Sequence, residues 1–561
     1  MRKTKVFLGL SLFNLLLYLS MESIWSGIQG MFGIAWLQYL FLFLLLGLFL
    51  AMVVLYALRT AGKGMWIPGG LSLAFLVALG YMFYLGIGSL RYILRNFVIY
   101  LTFFWFVIFL LYLFLVFPKQ KPWHARWFRL AFLSGLFVIT LIVAFFANFV
   151  MIKTMPVVFA VGEEYQIVWT TTINATGQVK IGDEVYSQTY AGSLDSETSV
   201  HKVVVPMAVL DAAEAYEIIS TNYLYRGPYS GLAGRTVTKS FAFRPVDLTD
   251  GLQFYSLSDT HEYVYAGSKT ASYFGEDLDF LVLAGDISSF VDTVSDITII
   301  HKIAYNVTGG NRPVIYARGN HEVKGLKANE LHKYVGSKDG KFYFTFKMGG
   351  IFGIVLDLGE DHPDDWWEYY DTAFFSDYRN EQTAFINAVL AADAFNDPEI
   401  LYRLGICHMP IVNVYNHDSH YDEDDLFLEA VKNEWTGLLN GMDLDLMIAG
   451  HRHQLFQFLE TTPRLTTLYY HPDYRQSNAP VGYLTAANFP SFLISRRSDV
   501  QDPAVNENQF GRKIIGLATT VDFASGTMTI SYTNSAHETV AIINPFSGEA
   551  FTSFVIPLGG W

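Results

Sequence analysis

The sequence predicts three kinds of fold in succession: a membrane α-helical bundle, an all-β sandwich and a layered α/β sandwich. Three observations carry this reading. Residues 1–152 are overwhelmingly apolar and aromatic. Short strand-like runs separated by turn residues follow at regular spacing up to about residue 247. From Leu252 onward, short apolar runs of buried-strand type alternate with helical patterns, and metal-ligating residue types follow the runs directly. The expected boundaries are therefore 1–152, 153–247 and 248–561.

In the N-terminal region, residues 6–57 hold one charged side chain, Glu22, and divide into two apolar stretches near Gly27–Gly33. Stretches 68–90, 97–117 and 130–151 carry no charge. Crossing the ~30 Å hydrocarbon layer takes about 20 helical residues, so five spans are expected. Arg2, Lys3, Lys5, Arg59, Lys63, Lys119, Lys121, Arg126 and Arg129 fall in alternate loops. The positive-inside rule then gives a multi-pass cell-membrane protein with a cytoplasmic N-terminus and an extracytoplasmic C-terminal region. Spans three to five contain no ionisable residue, which argues against an ion pathway and for an anchor whose partner is membrane lipid. A lipid substrate or a partner helix bundle stays open.

The formal net charge of -14 disfavours a nucleic-acid partner. A metal centre would still attract phosphate at short range. Cys407 is the single cysteine, so no intrachain disulfide forms and stability must come from packing and metals.

In the middle region the strand-like runs are Tyr165–Thr171, Gln178–Ile181, Val200–Val205, Tyr216–Ser220 and Val237–Arg244. The run from Tyr165 to Thr171, with Val200 to Pro206 after it, resembles the fibronectin-like domain that precedes the catalytic domain of purple acid phosphatases. The resemblance implies a fibronectin III or Ig-like sandwich acting as a rigid spacer. His201 reads as a partly exposed sheet residue rather than a ligand.

In the C-terminal region a single pattern recurs five times. Leu252–Leu257 leads to Asp259 and His261, and Phe280–Ala284 leads to Gly285 and Asp286. Pro313–Ala317 leads to Gly319, Asn320, His321 and Glu322. Leu401–Ile406 leads to Cys407 and His408, and Leu444–Ala449 leads to Gly450, His451, Arg452 and His453. Carboxylate, amide oxygen and imidazole suit divalent or trivalent metals, and a carboxylate can bridge two of them. Strand ends in α/β layers converge on one cleft, and the helical patterns Glu381–Ala392 and Leu426–Leu439 supply covering layers.

In this order the motifs resemble the calcineurin-like metallophosphoesterase superfamily over roughly residues 252–535. The resemblance implies a four-layer metallophosphoesterase sandwich. It also implies Asp259, His261 and His453 on a first metal, Asn320, His408 and His451 on a second, and Asp286 bridging them. A hydroxide shared by the metals would attack phosphorus, with His321 stabilising the transition state or protonating the leaving oxygen. Glu322 is expected to orient its loop.

Purple acid phosphatases carry a tyrosine ligand three residues after the bridging Asp, where this chain has Ser289. That departure leaves manganese, zinc and iron as comparable candidates. Arg452 is a candidate phosphate contact. In the acidic run Glu360–Trp367, Trp366 and Trp367 are candidates for stacking on a base or sugar, and calcium binding or a solvated surface are the other readings, as for His417–Asp425. Cys407 reads as a buried small hydrophobe. Late strands Lys513–Asp522 and Thr527–Thr533, turning at Gly526, are expected to complete a sheet.

The function so implied is a membrane-anchored, extracytoplasmic phosphoesterase acting on phosphomonoesters or phosphodiesters. Its substrate would be a small molecule, a lipid-linked phosphate or a cell-surface polymer. The competing reading is a non-catalytic membrane sensor that binds a phosphorylated ligand at the metal site, and the intact ligand set argues against it.

Overall fold

A computed structural model describes residues 2–20, 37–57, 66–84, 90–111, 123–226, 231–369, 371–412, 428–451, 456–458, 487–494, 514–543 and 550–559. The chain divides into two compact units, Met1–Phe149 and Val150–Trp561.

The first unit is helical: α1 (Arg2–Ser20), α2 (Leu37–Ala57), α3 (Trp66–Tyr84), α4 (Leu90–Leu111) and α5 (Trp123–Asn148). Leu15, Tyr18, Leu45 and Leu79 form a small core among α1, α2 and α3. The hydroxyls of Ser11 and Ser72 lie 2.6 Å apart, which ties α1 to α3 through a polar contact.

Among the described residues no helix is long and apolar enough to cross a membrane. Arg126 and Arg129, expected in a loop, lie inside α5, and Arg91 and Arg95 lie inside α4. The membrane helical bundle, the multi-pass placement and the extracytoplasmic orientation are corrected on these grounds, since all three rested on counting spans between charged loops.

The second unit is mixed α/β, built on two large sheets. The nine-stranded sheet runs β23 (Phe554–Pro557), β20 (Thr527–Asn534), β19 (Ile515–Asp522), β10 (Leu252–Leu257), β11 (Phe280–Ala284), β12 (Pro313–Ala317), β1 (Ile152–Val161), β2 (Glu164–Ala175) and β7 (Thr198–Pro206). The six-stranded sheet runs β13 (Phe344–Met348), β14 (Ile351–Leu356), β15 (Tyr402–Cys407), β16 (Leu446–Ala449), β18 (Ser491–Leu493) and β17 (Phe456–Phe458). A four-stranded sheet holds β4 (Glu184–Ser187), β3 (Gln178–Ile181), β8 (Ala215–Arg226) and β9 (Gly231–Ala242). Two ribbons pair β5 (Thr189–Tyr190) with β6 (Ser193–Leu194), and β21 (Ile542–Ile543) with β22 (Ala550–Phe551).

The two large sheets share one core. Phe254, Phe280, Val282 and Ile315 from the first join Val355, Leu404, Ile406 and Ile448 from the second. Phe254 and Phe280 stack at 4.7 Å, a contact worth ~0.5–1.5 kcal/mol beyond burial. On the outer face of the first sheet, Tyr255, Leu257, Leu281 and Leu283 pack on α7 (Val264–Ala271) and α8 (Val294–Thr308), while the short α6 (Met207–Ala213) lies after β7. Helix α8 starts where the Asp296 carboxylate accepts the Thr293 N–H at 2.7 Å and stops at Gly309, whose φ is 61°. Ile354, Leu356 and Cys407 of the second sheet pack on α9 (Phe375–Ala392) and α10 (Glu429–Leu439).

In the middle region β2 and β7 pack on the four-stranded sheet: Trp169, Val203, Val179 and Ile218 share a core, and Trp169 Nε1–H donates to the Ser220 hydroxyl at 2.9 Å. Val158 of β1 pairs in parallel with Pro313 of β12, and β2 and β7 extend the same sheet. The fibronectin-like segment expected to stand apart as a spacer is thus joined to the large sheet through β1. Strand β1 has β12 on one side and β2 on the other, so it is buried almost throughout, as a central strand is. His201 is fully buried, with Nε2 2.9 Å from the Thr171 hydroxyl and its ring against Trp169. The late strands coincide with β19 and β20, turn at Gly526 with φ 64°, and place β19 antiparallel to β10.

Candidate metal centre

Register sets the site. Leu257 pairs with Leu283 and Ala284 with Ala317, so the carboxyl ends of β10, β11 and β12 finish side by side. Ile406 pairs with Ile448, which brings the ends of β15 and β16 together in the other sheet. Backbone hydrogen bonds continue past the strands: Asp259 N–H donates to the Gly285 carbonyl and His261 N–H to the Asp286 carbonyl, each at 3.0 Å. Gly450 N–H donates to the His408 carbonyl at 2.7 Å. The sheets meet where the Asp259 carboxylate accepts the His451 N–H at 3.1 Å.

The backbone at these ends is strained. Asp259, His261, Asp286 and His451 have φ of 53°, 43°, 52° and 72°. Left-handed backbone at a residue other than Gly costs ~1–3 kcal/mol each and persists where the surroundings impose it. Gly285, with φ 86°, is also needed for space, since a Cβ there would lie 2.5 Å from the His408 ring.

Asp286 is the hub. It is 1% exposed, and its Oδ2 lies 3.1 Å from His408 Nε2 and 3.9 Å from Nε2 of both His261 and His321. Two ligand groups result, His261–Asp286–His321 and Asp286–His408–His451, with Asp286 common to both. Asn320 joins the second, its Oδ1 3.1 Å from His451 Nδ1. Burial opposes the charge on Asp286, but His408, His321 and His261 together hold its carboxyl far below the usual range. Burial likewise lowers His408, and the Asp286 charge more than reverses this, to about 10. His451, desolvated and beside His408, falls to about 4.

These donors fit metal ions. His408 Nδ1 lies 2.8 Å from the Ala284 carbonyl and so carries a hydrogen. Its buried Nε2, 3.1 Å from the Asp286 carboxylate, holds a proton against that charge. Without the proton two lone pairs would face each other there, so the place calls for a cation, which a metal ion can supply in the proton's stead.

Glu322 holds the frame. Its Oε2 accepts N–H bonds from Asp286 at 2.9 Å and Gly319 at 2.8 Å, and its Oε1 accepts Ser288 N–H at 2.9 Å. Burial, and then the Asp286 charge, push its carboxyl up to about 7. His321 donates from Nδ1 to the Ser289 carbonyl at 2.8 Å, which leaves Nε2 turned to the site, with the side chain 37% exposed.

Residues 252–455 match the model of the calcineurin-like phosphoesterase family. The chain carries a calcineurin-like phosphoesterase domain. With that domain it is a metal-dependent hydrolase of phosphoric esters. Among solved structures, purple acid phosphatase PPD1 from yellow lupin is 14% identical, over 72% of this chain and 74% of that one, with a TM-score of 0.44. PhoD is 10% identical, over 72% and 90%, with a TM-score of 0.40. A conserved protein of Streptococcus pneumoniae TIGR4, described as a predicted phosphoesterase, is 8% identical, over 54% and 97%, with a TM-score of 0.24. No curated protein matches the chain in sequence.

Of the expected site residues, the phosphoesterase domain gathers His261, Asp286, Asn320, His321, His408 and His451 around one point, with Asp259 bonded to the His451 backbone. His453 and Arg452 lie outside the described residues, as do residues 417–425. Trp366 packs on the His362 ring at 4.3 Å and Trp367 is 68% exposed. Cys407 is buried, and burial pushes its thiol up, away from any nucleophilic role. Sequence reasoning missed two residues individually. Asp361 reaches His451 Nε2 at 3.6 Å, and Lys324 binds the buried Glu360 carboxylate at 2.9 Å. Only the acidity of the run around Asp361 was visible in the sequence.

Proposed function

We propose that the chain hydrolyses phosphomonoesters or phosphodiesters at a binuclear centre in which Asp286 is shared between the two ions. The observation that carries this is the sharing itself: one carboxylate belongs to both ligand groups. His261 and Asp259, with His453, would serve one ion, and Asn320, His408 and His451 the other, with manganese, zinc and iron as candidates. Bound there, such ions supply Lewis-acid neutralisation of the phosphoryl oxygens and a nucleophilic water near neutral pH.

The protein's own groups do the rest. Three N–H bonds to Glu322 lock the loops carrying Asp286, Gly319 and Ser288, so the hub does not relax when a phosphoryl group enters. His321 is anchored through Nδ1, so its Nε2 carries a proton only as imidazolium. In that form it donates the proton to the departing ester oxygen and is left neutral. Its exposure leaves a leaving group free to reach it.

The test is hydrolysis of p-nitrophenyl phosphate and of its bis ester by the full chain loaded with manganese, zinc or iron. Metal-dependent turnover that is lost in Asp286→Ala is expected, and absence of turnover with two ions bound would overturn the reading.

A further inference from the structure

The loop after β14 brings a carboxylate to the centre that no metal-ligand motif contains. Asp361 Oδ2 lies 3.6 Å from Nε2 of His451, while the opposite nitrogen of that ring, Nδ1, lies 3.1 Å from Asn320 Oδ1. The other oxygen of Asp361 is engaged by His362 Nδ1 at 2.7 Å. Asp361 is therefore aimed at His451 through one oxygen and held through the other.

The loop is itself braced. Glu360 is fully buried, takes the Tyr369 hydroxyl at 2.5 Å and pairs with Lys324 Nζ at 2.9 Å. Lys324 follows His321 by three residues, so this strut joins the Asp361 loop to the loop of the proposed proton donor. The Lys324 ammonium thus supplies a cation to Glu360, one member of the group formed by Glu360, Asp361 and His362.

We infer that Asp361 is a positioning residue that accepts Nε2–H of His451 and so turns the Nδ1 lone pair toward the ion shared with Asn320 and Asp286. The inference rests on the binuclear reading. A neutral imidazole has one N–H, and the nitrogen facing the carboxylate is the one that keeps it. A carboxylate behind a ligating histidine fixes its orientation and raises its basicity, and loss of such a partner costs ~10–100-fold in metal affinity. At 3.6 Å the pair is an electrostatic contact, and the proposed hydrogen bond requires it to close by about half an ångström.

The experiment is a calorimetric titration of the full chain with Mn(II), in wild type, Asp361→Ala and Asp361→Asn. Asn keeps an acceptor oxygen without the charge. The wild type is expected to take two ions. Asp361→Ala should weaken one of the two affinities ~10–100-fold and leave the other unchanged, with Asp361→Asn in between. Equal affinities in wild type and Asp361→Ala overturn the inference alone, whereas a wild type that binds fewer than two ions overturns the binuclear reading. Should Asp361→Ala fail to fold, the wild type still decides. Loaded with Zn(II) and labelled with 15N-histidine, it should show a downfield, slowly exchanging Nε2–H for His451, and an Nε2–H that exchanges as freely as one in water overturns the inference.

Discussion

The Glu322 carboxylate accepts the main-chain N–H of Asp286 at 2.9 Å. The residue after the candidate proton donor thus holds the residue shared by both ligand groups. In Glu322→Gln one amide NH2 must face a main-chain N–H donor that previously met a carboxylate oxygen. A buried, mismatched pair of this kind costs ~1–3 kcal/mol. Chemical denaturation should show that loss together with roughly tenfold weaker metal binding, and unchanged values on both counts would remove Glu322 from the frame.

His321→Ala should lower kcat ~10²–10⁴-fold while metal content stays that of the wild type. Because the proposed role is proton donation to the leaving oxygen, the loss should be larger for an alkyl phosphate than for p-nitrophenyl phosphate, whose leaving group departs without a proton. Equal losses on the two substrates would assign His321 to binding the phosphoryl group instead.

Chelation should abolish hydrolysis, and readdition of metal should restore it. In Asp286→Ala readdition should fail, because both ligand groups lose their common member. Metal analysis of the chelated, reloaded and variant chains checks this directly.

Acid should weaken the fold through two histidines remote from the site. His301 is fully buried, with Nδ1 3.1 Å from the Thr154 hydroxyl and Nε2 2.5 Å from the Tyr334 carbonyl. Burial lowers it to about 4, and lowers His201 to about 3. Between those values and the ~6.5 of an exposed histidine, the unfolded chain binds more protons than the folded one, so stability rises with pH there. Their contribution is complete above about pH 6.5 and is lost as the pH falls toward 4 and 3, on the order of 3 kcal/mol for His301. His301→Gln, which keeps a donor and an acceptor, should flatten the slope of unfolding free energy between pH 6.5 and 4. An unchanged slope would contradict this account.

The strands of the second unit are legible because their apolar runs end abruptly at Gly, Asp, Asn or His, and five such ends carry the ligand candidates. His408 and His451 can be singled out as candidates from their order. Asp361 cannot, because an Asp in an acidic run looks the same whether it meets water or His451, and a tertiary contact across the cleft decides which. The place of β1 is equally hidden. Its run Val157–Val161 suits any buried strand, and nothing local says that its neighbour is β12 rather than a sandwich partner. The helices of the first unit mislead for another reason: the arginines within α4 and α5 look the same in sequence as loop markers.

The parallel pairing of Val158 with Pro313 separates partners by 155 residues. Ribosomes add about 5–20 residues each second, so β1 emerges roughly 8 to 30 seconds before the strand that covers its edge exists. During that interval β1, β2 and β7 present an apolar strand with unpaired N–H and C=O groups, the kind of edge to which other chains add. A stall of synthesis between residues 206 and 313 would prolong that exposure, and is expected to favour aggregation for as long as it lasts.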